Sequence, residues 1–319
     1  MTILFAGSQP YEFVNVNALV TTGATFDPTH VEGSIGKTSF TDRALGRLLK
    51  PTEEQELWLH AKGLFGSTLT TGTDNRPVFG FVNSSNIFLG GIQHGNNDIE
   101  VTSNTTDTSI LDLLTRNILC DVDIHYFQSG SSRVVELYIN GNLLALARSN
   151  TAWVVPDAVI MGGFGNSTNY FSEIIVTEGN VPTIGMRLHS KKPDPSLPGL
   201  NTFESGFWGS LANGNLTDGV VTTNPGARIT GGFQPYTGPA EPLGIRGIVQ
   251  SGRYLKNGTL LNMKGQLRIA DVNYDTPDYE YDDGNRVFSV WETNPATDAR
   301  FQVSDFPGLQ GGFRTTVGS

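Results

Sequence analysis

The sequence predicts an all-β protein made of two β-sandwich domains, and three observations support this. The chain of 319 residues contains 38 glycines and 16 prolines, a composition that suits many short strands joined by tight turns. Runs with strand-like patterning recur roughly every 10 to 15 residues, with almost no helical periodicity. The Pro-rich range 181–200 interrupts these runs and is predicted as a linker or crossover, which separates domains 1–180 and 201–319.

The clearest element of the N-terminal domain is a β-hairpin over residues 133–148. Asn140 and Gly141 form the dipeptide that best tolerates the positive φ angles of a type I′ turn. Apolar and polar residues alternate on both sides of this turn, so one face of the hairpin can be buried while the other is partly wet. The sequence therefore predicts a sheet protein built around this hairpin.

Further strands are predicted on both sides of it. Residues 53–64 fit a helix, since Thr52 and Gln55 resemble a capping box, but they also alternate like a strand. The strand-rich surroundings favour the strand. The remaining predicted strands of this domain lie at 78–82 and 87–92, which form a second hairpin, and at 120–127, 158–161 and 171–176. In the C-terminal domain strands are predicted at 245–250, 260–263, 266–270 and 287–291.

Composition excludes several classes of function. The net charge of −10 argues against a nucleic-acid partner and against an anionic membrane surface. The single cysteine, Cys120, excludes an intrachain disulfide, and its apolar surroundings predict a small buried side chain. No apolar run approaches the roughly 18 residues of a membrane span. The first residues lack the pattern of a signal peptide, so we expect the protein to fold in a reducing cytoplasm.

Three segments of the N-terminal half resemble a known family. They are the alternating strand at 121–127, the hairpin strand that ends in Tyr138-Ile139-Asn140-Gly141, and the late strand Phe171-Ser172-Glu173-Ile174-Ile175-Val176. Together and in this order they resemble the concanavalin A-like, laminin G-type jelly rolls over residues 1–180. The resemblance implies a lectin-like scaffold that contacts glycans. It does not identify the carbohydrate-binding residues.

The C-terminal half resembles the end of bacteriophage virion proteins. The segments that carry this resemblance are 185–188, 206–208, 245–250 and 292–297, with Phe301 where a Trp is usual. It implies a structural protein of a tailed-phage particle, in the tail, a fibre or the capsid decoration. It further implies a homo-oligomer that is assembled in the host cytoplasm, is located in the virion, and binds other virion proteins and host-surface glycans.

Many concanavalin A-like proteins are glycoside hydrolases, which need a pair of carboxylates on the sheet face. The candidate strand carries Asp121, Asp123 and His125 but no glutamate, while Glu53, Glu54 and Glu56 lie on the ambiguous segment. The sequence therefore predicts that the chain is not an enzyme. A free carbohydrate-binding lectin is the alternative function, followed by a phage polysaccharide depolymerase.

One acidic segment of the C-terminal domain has the spacing of a calcium loop. Asp271, Asn273 and Asp275 occupy its positions one, three and five, and Asp282 occupies position twelve. The sixth position is Thr276 where a sharp turn favours glycine, and the last ligand is Asp instead of Glu. A calcium site and a solvated acidic loop both remain open, and no other cofactor is predicted.

Overall fold

The computed structural model describes residues 2–7, 14–15, 24–27, 37–40, 43–48, 54–66, 76–94, 99–103, 106–109, 117–162, 169–212, 219–235, 244–253, 261–276 and 286–317. Apart from two short 3-10 helices at Trp208–Leu211 and Val303–Asp305, the regular structure in these ranges is all strand. The all-β prediction is confirmed. The chain divides into two compact units, Met1–Leu188 and His189–Ser319, which are described separately.

The first unit contains fifteen of the described strands. In chain order they are β1 (Thr2–Gly7), β2 (Val14–Asn15), β3 (Ala24–Asp27), β4 (Lys37–Phe40), β5 (Arg43–Arg47), β6 (Glu56–Leu64), β7 (Arg76–Val82), β8 (Phe88–His94), β9 (Ile99–Thr102), β10 (Asp107–Ser109), β11 (Cys120–Ser129), β12 (Ser132–Ile139), β13 (Asn142–Ser149), β14 (Ala158–Gly162) and β15 (Asn169–Glu178). The segment 53–64, ambiguous in sequence, is thus the strand β6.

These strands form two antiparallel sheets. The eight-stranded sheet has the order β13-β12-β11-β6-β15-β4-β3, with β1 also paired to β15, and the seven-stranded sheet has the order β10-β9-β8-β7-β14-β5-β2. Neighbours that are distant in sequence, such as β6 beside β15 and β7 beside β14, give the crossing connectivity of a jelly-roll sandwich. β6 lies between β11 and β15, near the middle of the eight-stranded sheet.

The core lies between the two sheets and is rich in aromatic rings. Phe79 of β7 stacks on Phe171 of β15 with ring centroids 4.8 Å apart, and Phe81 lies 5.3 Å from the ring of Tyr126 on β11. All four side chains are buried. Burial of a large apolar side chain contributes about 1.5–3 kcal/mol, so these contacts are a main source of the sandwich's stability.

The hairpin predicted at 133–148 is confirmed as β12 and β13. Asn140 and Gly141 have φ angles of 51° and 78°, which is the left-handed pair that the turn requires. Val135 and Leu137 point into the core and are fully buried, whereas Glu136 and Tyr138 point outward. The turn therefore sets the register that places Glu136 and Tyr138 on the outer face.

The left-handed backbone at Gly141 gives a testable expectation. Gly141→Ala should lower the free energy of unfolding by about 1 kcal/mol, because an L side chain is strained at this φ. A Cβ at this position has only Ile184 within 4 Å, at 3.5 Å, so steric crowding adds little. Urea denaturation measures the loss, and Gly219→Ala, at a glycine with open space and no left-handed φ, is the matched control. Equal effects of the two changes would contradict the assignment of strain to the turn.

The second unit contains seven described strands. They are β16 (Pro193–Asn201), β17 (Arg228–Phe233), β18 (Ile248–Arg253), β19 (Leu261–Ile269), β20 (Val272–Asp275), β21 (Arg286–Trp291) and β22 (Gln310–Val317). A five-stranded sheet runs β16-β17-β22-β19-β20, and β18 pairs with β21. The two sheets face each other, since a Cβ added to Gly265 of β19 would meet Ser289 of β21. This unit is the second β sandwich.

The second unit has its own core, formed by Leu267, Trp291, Phe301 and Leu309. All but the last residue of β16 lies in the range 181–200 that the sequence assigned to a linker, and the strand contains Pro193, Pro195 and Pro198. A strand at the edge of a sheet tolerates proline, because only one of its sides must supply ladder hydrogen bonds. Composition alone therefore could not distinguish this edge strand from a linker.

Candidate functional site

The candidate site is the outer face of the eight-stranded sheet, opposite the core. Successive side chains of a strand point to opposite faces, and the register of β6, β11 and β12 fixes which residues meet. Asp123 lies opposite His60 and Tyr138, and His125 lies opposite Trp58 and Glu136. The outward residues of these three strands include Glu56, Trp58, His60, Lys62, Asp121, Asp123, His125, Phe127, Glu136 and Tyr138.

One end of this face carries a row of aromatic rings. The imidazole of His125 stacks between Trp58 and Phe127, with centroid distances of 4.0 Å and 4.1 Å and interplanar angles of 8° and 18°. The centroid of the Tyr138 ring lies 5.6 Å from that of Trp58, and the two rings are tilted by 42°. We call these four residues the aromatic row. Phe127, Tyr138 and His125 remain partly accessible, so the row presents ring surface to solvent.

Two carboxylates flank the imidazole in this row. His125 Nδ1 lies 3.0 Å from Glu136 Oε2 on β12, and Nε2 lies 3.1 Å from Glu56 Oε1 on β6. Two ionised carboxylates can both be satisfied only by an imidazole that donates from both nitrogens. The three side chains form a hydrogen-bonded chain across three adjacent strands, with the imidazole between the two carboxyl groups.

Tyr138 is attached to the same chain of groups. Its hydroxyl donates a hydrogen bond of 2.8 Å to Glu136 Oε2. Burial raises the pKa of the Tyr138 hydroxyl to about 12, and the hydrogen bond and negative charge of Glu136 act in the same direction. The phenol is therefore a fixed donor over the whole physiological pH range, and it holds Glu136 in place beside His125.

The other end of the outer face is covered and contains a buried pair. His60 Nδ1 lies 2.9 Å from Asp123 Oδ1, and the Thr183 hydroxyl donates to the same oxygen at 2.8 Å. All three side chains are fully buried. His60 Nε2 and Asp123 Oδ2 are also buried and have no hydrogen-bond partner among the described residues. A polar cluster of this kind is stable only while its existing bonds are kept.

Residues 179–188, which we call the strap, follow β15 and cover this end. Besides Thr183, the strap contributes Arg187, whose Nη2 lies 2.9 Å from Asp121 Oδ2. Lys62 Nζ lies 3.2 Å from the other oxygen of Asp121. Burial acts to raise the pKa of Asp121. The hydrogen bond and positive charge of Arg187, together with Lys62, outweigh this effect and hold that pKa below its usual value. The strap is thus attached to the sheet by charge-assisted bonds.

A third acid holds the end of the strap. Glu173 lies at a β-bulge of β15, where the register with β6 shifts between Ser172 and Ile175, and it has a φ of 54°. The Leu188 amide donates to Glu173 Oε2 at 3.1 Å. Burial raises the pKa of the Glu173 carboxyl to about 7, against the opposing effect of this hydrogen bond and of nearby positive charges, the largest being Arg187. The bulge therefore places a carboxyl that titrates near neutral pH beneath the strap.

The residues predicted to bind calcium occupy a different place, in the second unit. Asp271 lies in the turn between β19 and β20 and pairs with Arg268, while Asn273 and Asp275 lie on β20 itself. The carboxylate of Asp275 accepts hydrogen bonds from Arg228 and Arg314. Burial acts to raise the pKa of Asp275, but these two guanidinium groups outweigh it and hold that pKa below its usual value.

These positions form a hairpin strand with ion pairs where the sequence pattern suggested an open loop. The fourth ligand, Asp282, lies outside the described residues, so the calcium site stays a prediction. Within the described ranges, no group of three or more His, Cys, Asp or Glu side chains is arranged so that it could hold a metal ion.

Sequence reasoning named several of these site residues but missed how they combine. It tested β11 for paired carboxylates, where it found Asp121 and the buried Asp123, and it left Glu56 aside because the structure of residues 53–64 was ambiguous. The two glutamates that flank His125 come from β6 and β12 and meet only through the strand register. Glu136 sat in the confirmed hairpin, so pairing that hairpin with β11 is the step that would have found it.

Comparison with known proteins adds the following. No protein-family model matches the chain, and no curated protein matches its sequence. No helix in the described part of the chain has the length and apolar character of a membrane span.

Similar solved structures include a sialidase, the lectin I-B4 of Griffonia simplicifolia and the endo-1,3-β-glucanase of Streptomyces sioyaensis. Their TM-scores are 0.35, 0.32 and 0.31, at 8%, 11% and 11% identity. The matches cover 50%, 53% and 56% of this chain. They cover 94% of the lectin and 97% of the glucanase but only 16% of the sialidase.

The prediction that the chain is not an enzyme is corrected by these findings. Proteins with enzyme titles, the sialidase and the glucanase, are among the structures similar to it. The prediction rested on the absence of glutamate from the single strand β11, whereas a sheet face combines side chains from several strands. Glu56 of β6 and Glu136 of β12 form a glutamate pair on the two sides of His125.

Proposed function

We propose that the N-terminal unit binds carbohydrate on the outer face of its eight-stranded sheet. The observation that carries this proposal is the aromatic row with Glu56 and Glu136 on either side of His125. A sugar ring has apolar C–H faces and a rim of hydroxyls. Aromatic rings suit the faces, and fixed carboxylates accept from the hydroxyls, so this set of groups matches both parts of the ligand.

The neighbouring strand extends this surface. Leu143 and Leu146 of β13 lie opposite Tyr138 and Glu136 and are 53% and 42% exposed. Exposed apolar side chains next to aromatic rings and carboxylates form a mixed surface of the kind that recognises amphipathic ligands. The surface is therefore wide enough to contact more than one side of a sugar ring.

A glycan microarray probed with the full chain tests the proposal, followed by calorimetric titration of a sugar that binds. Phe127→Ala should weaken the affinity about tenfold, because a lost ring contact at a binding surface costs about 1–2 kcal/mol. Phe207→Ala, at a phenylalanine that is exposed on the second unit, is the matched control and should leave the affinity unchanged. Unaltered affinity in the Phe127 variant, with its circular dichroism intact, would count against the proposed surface.

The glutamate pair favours a second candidate, hydrolysis of the bound glycan. Two carboxylates on one sheet face are the groups that glycoside hydrolysis requires. Release of reducing ends from a bound oligosaccharide would establish it, and Glu136→Gln should then abolish the release while binding persists. Intact oligosaccharide after prolonged incubation would leave binding as the function.

A place in a bacteriophage virion, together with homo-oligomerisation, stays a prediction from the sequence resemblance. The similar structures named above give it no support. Mass spectrometry of purified particles from an infected host tests the location, and light scattering of the purified chain tests the oligomeric state. Absence of the chain from the particles would refute the virion prediction without affecting the carbohydrate surface.

A further inference from the structure

We propose that the outer face selects glycans without negative charge, namely neutral or amino-bearing sugars, and discriminates against uronic, sialic and sulfated sugars. This inference rests on the proposed function, because it concerns the ligand class of the same surface. It depends on which hydrogen-bond donors and acceptors the described residues leave for a ligand.

The donors at the aromatic row are already used. Both ring nitrogens of His125 are directed at Glu136 and Glu56, at 3.0 Å and 3.1 Å. The hydroxyl of Tyr138 donates to Glu136 at 2.8 Å. Trp58 Nε1 is a donor, but it is buried away from solvent. A ligand that only accepts hydrogen bonds, such as a carboxylate or a sulfate, therefore finds no accessible donor among these four side chains.

Acceptor capacity, by contrast, remains. An ionised carboxylate offers about four lone-pair sites. Glu56 makes one hydrogen bond with His125, while Glu136 makes one with His125 and accepts one from Tyr138. The side chains of Glu56 and Glu136 are 34% and 17% exposed, so their unused lone pairs can be reached. Sugar hydroxyls and ammonium groups are the donors that fit them.

The charges around the aromatic row also discriminate against anionic sugars. Two carboxylates outnumber the single imidazole between them, so this end carries a net negative charge, which repels an anionic sugar. The cations Lys62 and Arg187 lie at the covered end, where both pair with Asp121. Arg148 lies on the outer face of β13, and its Nη2 is 3.4 Å from Ser129 Oγ. None of these three guanidinium or ammonium groups contacts the glutamate pair.

Matched oligosaccharides test the inference. The full chain is titrated with glucose, glucosamine and glucuronate oligomers of equal length, and with the galactose series, at 50 and 300 mM salt. In the series that binds, the acidic oligomer should bind at least tenfold more weakly than its neutral counterpart. This difference in affinity should shrink at the higher salt concentration. Glu136→Gln and Glu56→Gln should each narrow the difference, because each removes a negative charge.

Glu100→Gln is the matched control, because Glu100 lies on β9 of the other sheet, where it accepts a hydrogen bond from Gln93. This change should leave the selectivity intact. Binding of the acidic oligomer that equals or exceeds that of the neutral one would overturn the inference and leave the proposed function standing. Failure of every oligomer and of the glycan array to bind would overturn the proposed function itself.

Discussion

Asp123→Ala is expected to destabilise the N-terminal unit by about 3–5 kcal/mol. Asp123 is fully buried and accepts hydrogen bonds from His60, across the β6–β11 pair, and from Thr183 of the strap. Removing the carboxylate leaves His60 and Thr183 buried without this hydrogen-bond acceptor. Removing one partner of a buried pair costs about 3–5 kcal/mol. Because Thr183 belongs to the strap, the change also removes one of the bonds that hold the strap on the sheet.

Chemical denaturation monitored by tryptophan fluorescence measures this loss. Asp123→Asn keeps an acceptor for Thr183 and should lose much less stability than the alanine variant. Asp107→Ala is the matched control, because Asp107 is an exposed acceptor for Gln93 on the seven-stranded sheet. A loss below about 1 kcal/mol for Asp123→Ala would show that the buried pair is not essential to the fold.

The second large effect concerns pH. In the folded protein Glu173 keeps its proton up to about pH 7, whereas the unfolded chain loses it near the ordinary value of 4.5. The contribution of Glu173 to the free energy of unfolding is therefore fully present below pH 4.5, and it is lost as the pH rises from 4.5 to 7. The total loss in the free energy of unfolding is roughly 3 kcal/mol, since each unit of pKa difference between the folded and unfolded states corresponds to about 1.36 kcal/mol.

Glu173→Gln should remove this pH dependence, because the amide stays neutral and still accepts from the Leu188 amide. The variant should match the unchanged protein at pH 4 and exceed it by roughly 3 kcal/mol at pH 8. Thermal unfolding across this pH range measures the difference. Glu100→Gln serves again as control and should show no such rise. Parallel stability curves for the Glu173 variant and the unchanged protein would show that Glu173 is not held neutral by burial.

The fold was largely predictable because alternation and turn chemistry act locally. The type I′ dipeptide at Asn140 and Gly141 identified β12 and β13, and the alternation of 120–127 identified β11. Even the ambiguous β6 followed from the strand-rich surroundings. Prediction was weaker where a strand lies at an edge, as for β16, because proline is tolerated there and suggests a linker.

The site was much less predictable, since it depends on contacts between strands. His125 meets Glu56 and Glu136 only when β6, β11 and β12 are paired in one register, and no pattern within a single strand shows this. The bulge that places Glu173 on the outer face shifts the alternation of β15 within the strand. The strap lies in a range that composition marked as a linker, so its bonds to Asp121 and Asp123 had no sequence signal.

The central claim is that carbohydrate binds on the outer face of the eight-stranded sheet. A crystal structure of the full chain with a sugar identified on the array tests it most directly. We expect the sugar to lie against Phe127 and Tyr138, with its hydroxyls donating to Glu56 and Glu136. A sugar bound instead on the seven-stranded sheet or on the second unit, with the aromatic row uncovered, would contradict the claim.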